Sequence, residues 1–173
     1  MKNPELRTHI TVLLVEDDRA HAAIVRRNLP GFPFDLKLIH VVDWQMALDY
    51  LLCSVGLNYP TTPDLILLDL HIPKMAGSQA LRQIMSLPEL KTIPTIILTS
   101  SSLSSDRDAA YALGAMNYQP KPMSSERFAE MLGVLLADRS SLLPYAENRV
   151  PQATGFRRPQ RSNDDNRRFF EYR

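Results

Sequence analysis

The stretch DLILLDLHIP, residues 64–73, places a carboxylate at the end of an apolar run. The four apolar residues 65–68 are typical of a strand buried on both faces, and Asp69 follows them directly. One aspartate at this point is either a cap or turn residue, or one member of a polar site. The choice depends on whether other polar side chains converge on Asp69.

Strand-like and helix-like segments alternate along most of the chain. The strand-like runs, rich in β-branched residues or leucine, are residues 9–15, 36–42, 64–70, 95–100 and 116–119. The segments with apolar residues at helical spacing are 19–29, 43–53, 77–87, 103–113 and 124–137. This alternation predicts βαβ units and a parallel sheet covered on both faces. We therefore expect a doubly wound α/β domain of five βα repeats, (βα)5, over residues 1–143.

The composition suits a soluble protein with one core. Of the 173 residues, 45% are apolar, and the formal net charge of +1 gives no general attraction to nucleic acid or to acidic membranes. The single cysteine, Cys53, excludes an internal disulfide, fits a reducing compartment and is expected to be buried on a helix. The chain has no apparent secretory signal and no apolar run of the roughly 18 residues that a membrane span needs. These features predict a cytoplasmic location.

The segment 144–173 differs from the rest of the chain. It contains three prolines and seven arginines and has no apolar periodicity, so we expect an extended or partly disordered tail. Its basic and aromatic residues suit a solvated tail, an arm that contacts a partner or a second copy, or a contact with single-stranded nucleic acid. Because the tail has no helix-turn-helix pattern, direct DNA binding is not expected.

Polar side chains follow four of the five predicted strands. The carboxyl ends of parallel strands meet at one edge of a doubly wound sheet, so these side chains should converge there. They are Glu16, Asp17 and Asp18 after the first strand, Asp69 after the third, Thr99 and Ser100 after the fourth, and Lys121, followed by Pro122, after the fifth.

Carboxylates, a hydroxyl and an ammonium together suit a phosphoryl group held with a hard divalent cation. Mg²⁺ binds carboxylates, backbone carbonyls, waters and phosphate oxygens. A hydroxyl and an ammonium donate hydrogen bonds to phosphoryl oxygens. Asp69 is then either a metal ligand only or a carboxylate nucleophile that becomes an aspartyl phosphate.

Four motifs resemble those of a response-regulator receiver domain in their order and spacing. They are LLVEDD (13–18), DLILLDLHIPKMAG (64–77), ILTSS (97–101) and GAMNYQPKP (114–122). The resemblance covers residues 9–140 and is greatest to single-domain regulators paired with phytochrome histidine kinases. It implies the flavodoxin-like strand order 2-1-3-4-5. It also implies a phosphoacceptor of a two-component phosphorelay rather than an enzyme of metabolism.

The resemblance implies a role for each acidic residue of the motifs. Asp69 would accept a phosphoryl group from a phosphohistidine of a sensor histidine kinase. Asp17 would bind Mg²⁺ directly, Glu16 would act through a water, and the backbone carbonyl of His71 would complete the metal ligands. The imidazole of His71 is not expected to bind the metal.

The resemblance also implies a switch. Thr99 would bond to the phosphoryl group, Lys121 would pair with it, and Tyr118 would occupy the aromatic switch position. Phosphorylation would then change the protein-binding affinity of the face formed by the fourth helix, fifth strand and fifth helix. The Lys121–Pro122 peptide bond is expected to be cis. Pro120 departs from the pattern because it removes a hydrogen-bond donor from the fifth strand.

Some alternatives remain open. Asp18 is expected to cap the first helix rather than to bind metal. A Mg²⁺-dependent phosphatase would need an acid/base aspartate where His71 stands. A receiver-like module could bind its partner without phosphorylation, although the complete polar set argues against it. The methionine-rich last helix and the aromatic tail favour a homodimer.

Overall fold

The computed structural model describes residues 9–29, 35–57, 61–73, 75–140 and 170–172. The strands in it are His9–Val15 (β1), Asp35–Val41 (β2), Leu65–Asp69 (β3), Thr95–Thr99 (β4), Asn117–Pro120 (β5) and Phe170–Tyr172 (β6). The helices are Arg19–Asn28 (α1), Trp44–Leu57 (α2), Gly77–Ser86 (α3), Ser104–Ala112 (α4) and Ser125–Ser140 (α5). The predicted segments therefore all form, with ends that shift by a few residues.

The sheet has the order β5-β4-β3-β1-β2-β6. Its first five strands are parallel and confirm the predicted order 2-1-3-4-5. The sixth strand was not predicted: β6 pairs antiparallel with β2, with Leu38 opposite Tyr172 and His40 opposite Phe170. A strand from the C-terminal region therefore covers the edge of β2.

Two hydrophobic cores lie on opposite faces of the sheet. Successive residues of a strand point to opposite faces, so Leu13 and Val15 enter one core while Val12 and Leu14 enter the other. The first core packs against α2, α3 and α4, and the second against α1 and α5. Burial on both faces explains why these strands read as continuous apolar runs.

Local signals set several helix ends. The Asp18 carboxylate accepts a hydrogen bond from the Ala20 backbone N–H at 2.7 Å, which confirms the predicted cap of α1. Gly114 follows α4 with a φ of 100°, a conformation that favours glycine. Before α5, the Ser124 hydroxyl accepts from the Arg127 N–H at 3.3 Å. None of the described helices is long and apolar enough to span a membrane.

Two expectations about the rest of the chain have different outcomes. Cys53 is exposed, so the prediction of a buried cysteine was wrong. The core-facing residues of α2, which include Ala47, Tyr50 and Leu51, follow the helical period, and Cys53 lies outside that stripe. The predicted domain end at residue 143 and most of the tail lie outside the described residues, so both stay predictions.

Candidate functional site

Asp69 ends β3, the strand between β1 and β4, and its side chain is buried. Because the preceding residues of β3 fill both cores, a shift in register would draw a flanking carboxylate, Asp64 or Asp69, into apolar surroundings. The chain after β3 folds back closely: a Cβ on Gly77 would lie 2.5 Å from the Leu70 Cα and 2.8 Å from the Asp69 carbonyl oxygen. Glycine at this position therefore lets α3 begin beside Asp69.

The Lys121 ammonium lies between two buried carboxylates. Its Nζ is 2.8 Å from Asp69 Oδ2 and 2.5 Å from Glu16 Oε2. The lysine is placed by its backbone N–H, which donates to the Thr99 carbonyl at 2.8 Å. The Lys121–Pro122 peptide bond is cis, as expected. The ammonium offsets two negative charges that burial would otherwise penalise.

Glu16, Asp17 and Asp69 bring carboxylate oxygens within 4.8 Å of one another. Glu16 is buried and Asp17 is exposed, and both follow directly on β1. Burial raises the pKa of Glu16, while the hydrogen bond and the charge of Lys121 oppose this rise. An all-oxygen donor set with several negative charges suits a hard divalent cation. The predicted acidic residues therefore converge, and their arrangement fits such an ion.

The second oxygen of Asp69 and the Thr99 hydroxyl both lie near His71. Asp69 Oδ1 accepts a hydrogen bond from the His71 backbone N–H at 3.0 Å. The His71 imidazole is exposed, with Nδ1 3.4 Å from Thr99 Oγ1 and 3.9 Å from Asp69 Oδ1. Thr99 is buried at the end of β4. Both carboxylate oxygens of Asp69 are thus oriented by hydrogen bonds, and Thr99 lies at the same edge.

Tyr118 on β5 is connected to Thr99 through the loop after β4. The Tyr118 hydroxyl donates to the Ser101 carbonyl at 3.3 Å, and the Ser101 backbone N–H donates to Thr99 Oγ1 at 3.0 Å. Tyr118 is half-buried against the core on the side of α2, α3 and α4. Sequence reasoning did not identify Ser101, because a serine in a loop carries no signal of this bridging role.

Two histidines beside the acidic residues also escaped sequence reasoning. His21 on α1 has Nδ1 3.5 Å from Lys121 Nζ. His40 on β2 is buried, and its Nε2 lies 2.7 Å from the Glu16 carbonyl oxygen. Burial lowers the pKa of His40, so the ring is neutral near pH 7. A polar residue within the apolar run of β2 was the available signal for His40.

Three carboxylates and a lysine lie at the edge of the sheet where the parallel strands end. In a doubly wound α/β domain, this combination is typical of one class of signalling domains. The family model described as response regulator receiver domain matches residues 12–133. This match spans more than half of the chain, and the chain therefore belongs to the response regulator receiver family.

Two curated proteins give similar sequences. The probable methanogenesis regulatory protein FilR2 of Methanothrix harundinacea is 36% identical over 115 residues, which are 66% of this chain and 74% of FilR2. The response regulator Rcp1 of Synechocystis is 34% identical over 121 residues, which are 70% of this chain and 82% of Rcp1.

Solved structures of two regulators are also similar. The phosphorylated cyanobacterial phytochrome response regulator RcpA has a TM-score of 0.62 and 29% identity, covering 80% of this chain and 97% of RcpA. The Mn²⁺-bound form of Rcp1 has a TM-score of 0.60 and 30% identity, covering 82% of this chain and 97% of Rcp1.

Family membership fixes the general function. The chain is a receiver domain of two-component signalling, a phosphoacceptor rather than a classical enzyme. A receiver domain implies a histidine kinase as its partner. The resemblance to phytochrome-associated regulators that the motifs predicted is also confirmed.

Proposed function

We propose that this protein is a single-domain response regulator in which Asp69 accepts a phosphoryl group from the phosphohistidine of a sensor histidine kinase. The observation that carries the proposal is the state of the Asp69 carboxylate. It is buried at the end of β3, and one oxygen is paired with Lys121 at 2.8 Å. The other oxygen is held by the His71 N–H. A carboxylate oriented in this way is a positioned nucleophile.

The transfer requires a divalent cation, which we propose is Mg²⁺. Asp17, Asp69 and the His71 backbone carbonyl would hold it directly, and Glu16 would act through a water because its Oε2 is already paired with Lys121. Bound Mg²⁺ would neutralise charge on the phosphoryl oxygens. The supporting observation is the all-oxygen donor set, which selects hard cations.

The remaining residues position the reacting groups. A carboxylate oxygen of Asp69 forms the bond to phosphorus as the P–N bond of the phosphohistidine breaks and its imidazole keeps the electron pair. Lys121 already contacts Asp69 and can follow the added phosphoryl oxygens. The buried Thr99 hydroxyl has its own proton to donate to the same group, since its oxygen accepts from the Ser101 N–H.

Phosphorylation would be transmitted to the face formed by α4, β5 and α5. Movement of the Thr99 hydroxyl toward a phosphoryl group would disturb the hydrogen bond that it accepts from the Ser101 N–H. The carbonyl of Ser101 accepts a hydrogen bond from the Tyr118 hydroxyl, so this movement would also reach Tyr118. Tyr118 could then change position on β5. Leu103 just before α4, Tyr111 on α4 and Val134 on α5 are large, apolar and exposed, which suits contact with a protein partner.

We further propose that the kinase is a phytochrome or bacteriophytochrome and that the protein acts in the cytoplasm as a homodimer. The kinase assignment rests on similarity to the phytochrome response regulator RcpA. The dimer assignment rests on β6, which pairs through its backbone with the edge of β2. A strand that pairs in this way can also pair with β2 of a second chain. Sedimentation velocity at several protein concentrations, with and without phosphorylation, tests the dimer.

The intact mass of the protein after incubation with acetyl phosphate and Mg²⁺ tests the phosphoacceptor. Wild type should gain one phosphoryl group, whereas Asp69→Asn or removal of Mg²⁺ should prevent the gain. Asp49→Asn is the matched control, because Asp49 is on α2, where its carboxylate accepts from Gln45. Labelling of Asp69→Asn to the wild-type extent would contradict the proposal.

Transfer from a purified phytochrome kinase tests the partner. Radiolabelled phosphate should pass from the kinase histidine to wild type and not to Asp69→Asn. If acetyl phosphate labels the protein and the phytochrome kinase does not, the receiver function stands and the pairing with that kinase is excluded.

A further inference from the structure

The backbone of Glu16 is held to β2 at both its N–H and its carbonyl. The Glu16 N–H donates to the Val41 carbonyl at 3.0 Å, which continues the ladder between β1 and β2. The Glu16 carbonyl accepts from a side chain instead, the imidazole Nε2 of His40, at 2.7 Å. A side chain therefore replaces the next ladder bond at the point where the acidic pair begins.

This second bond fixes the direction in which Asp17 leaves the strand. The Glu16 carbonyl and the Asp17 N–H belong to one peptide unit, which is planar. Holding the carbonyl oxygen therefore sets the orientation of that plane and of the Cα of Asp17. Asp17 is exposed, so few packing contacts are available to hold its carboxylate near Asp69.

His40 is itself held firmly. Its ring is buried, and burial lowers the pKa of the imidazole, so the ring is neutral. A carbonyl oxygen only accepts hydrogen bonds, which places the proton of the neutral ring on Nε2. On β2, His40 pairs with Leu14 of β1 on one side and with Phe170 of β6 on the other.

The register shows how β6 supports His40. The Val41 carbonyl faces β1, because it accepts from Glu16. Backbone groups of successive residues in a strand face alternate sides, so those of His40 face β6. Phe170, the Cα partner of His40, therefore forms the hydrogen-bonded pair with it, whereas Glu171 opposite Ile39 has its backbone groups facing away from β2.

We propose that His40 is a positioning residue for the acidic pair, and that pairing of β6 with β2 at His40 favours the arrangement that binds metal. The C-terminal strand and the metal site would then be linked reciprocally: metal would favour the docked strand, and the docked strand would favour metal. The inference rests on the proposed divalent-metal site.

The affinity for Mg²⁺, measured by isothermal titration calorimetry without any phosphoryl donor, tests the role of His40. His40→Leu removes the hydrogen-bond donor and should weaken Mg²⁺ binding about tenfold, the lower end for residues that orient metal ligands. His40→Gln keeps a donor of similar reach and should restore most of the affinity. Thermal unfolding without metal checks that both variants fold.

The outcomes separate this inference from the metal site itself. Asp17→Asn should abolish measurable Mg²⁺ binding. Unchanged binding in Asp17→Asn would overturn the proposed metal site. Loss of binding in Asp17→Asn together with wild-type affinity in a folded His40→Leu would overturn the positioning role alone. Equal weakening in His40→Leu and His40→Gln would also contradict it, because the donor would then be irrelevant.

Proline substitutions within β6 test the link to the C-terminal strand in the full chain. Phe170→Pro removes the N–H that faces His40 and should weaken Mg²⁺ binding about threefold, a typical coupling between linked sites. Glu171→Pro is the matched control, since its N–H faces away from β2. In the His40→Leu background, Phe170→Pro should have no further effect. The same threefold loss in that background would show that the link does not run through His40.

Discussion

Strands β3 and β5 lie in the same sheet, separated only by β4, and differ in burial and in the residue that ends them. All five residues of β3 are buried, and they end in Asp69. None of the four residues of β5 is fully buried, and the strand ends in Pro120, which donates no backbone hydrogen bond. Strand β3 carries the proposed phosphoacceptor, and strand β5 carries Tyr118.

This difference in burial separates Asp69, where phosphorylation is proposed, from Tyr118, which is proposed to respond to it. Fully burying a leucine contributes roughly 1.5–3 kcal/mol, so the run before Asp69 holds the carboxylate in one position. An edge strand with few buried side chains opens and shifts at a lower free-energy cost. The proposed nucleophile therefore lies where the sheet is rigid, and the residue proposed to move lies where it is not.

The largest expected effect is on stability at the centre of the sheet. Leu67→Ala in β3 should lower the free energy of unfolding by about 2–5 kcal/mol, because it leaves a cavity in a fully buried strand. Gln119→Ala in the half-buried β5 removes one hydrogen bond to Asn117 and should lower it by only about 0.5–1.5 kcal/mol. Urea denaturation measures both. Similar losses for the two variants would remove the distinction between the strands.

The next effect concerns the loop that follows β3. Gly77→Ala should cost about 1–3 kcal/mol, because its Cβ would meet the Leu70 Cα and the Asp69 carbonyl oxygen, and neither backbone atom can yield without moving the site. Gly133→Ala is the matched control. A Cβ there meets nothing within 4 Å, so the helix should gain about 0.5–1 kcal/mol. Wild-type stability in Gly77→Ala would contradict the close approach.

A smaller effect is expected at the edge strand. Tyr118→Phe removes the hydrogen bond to the Ser101 carbonyl and should cost about 0.5–1.5 kcal/mol. The extent of labelling by acetyl phosphate should not change, since Asp69 and Lys121 are untouched. Intact mass and urea denaturation test the two statements. A large loss of labelling would place Tyr118 in the chemistry rather than in the readout.

The smallest effect is a pH dependence from β2. Burial lowers the pKa of His40 below its ordinary value of 6.5. As the pH falls below that value, the unfolded chain takes up a proton that the folded protein does not, so stability is lost until the folded pKa is reached. The unfolding free energy of wild type, relative to that of His40→Gln, should therefore decrease as the pH falls. A difference independent of pH would contradict the lowered pKa.

The sequence was sufficient to predict the parallel sheet and the convergence of Asp69, Asp17 and Lys121. Those predictions need only the alternation of segments and the rule that strand ends meet at one edge. Strand β6 could not be predicted, because three residues that pair through their backbone leave no periodic signal. The role of His40 required the register of β1 against β2. Cys53 was misplaced because a helix stripe estimated from a short segment does not define the limits of the packed face.

The central claim is that Asp69 carries the phosphoryl group, and the site of labelling tests it directly. After treatment with acetyl phosphate and Mg²⁺, borohydride reduction converts an aspartyl phosphate into homoserine, and peptide mass spectrometry then locates the modified residue. The predicted result is modification at Asp69 alone, lost when Mg²⁺ is omitted. Modification at Asp17 or Glu16, with Asp69 unchanged, would contradict the account.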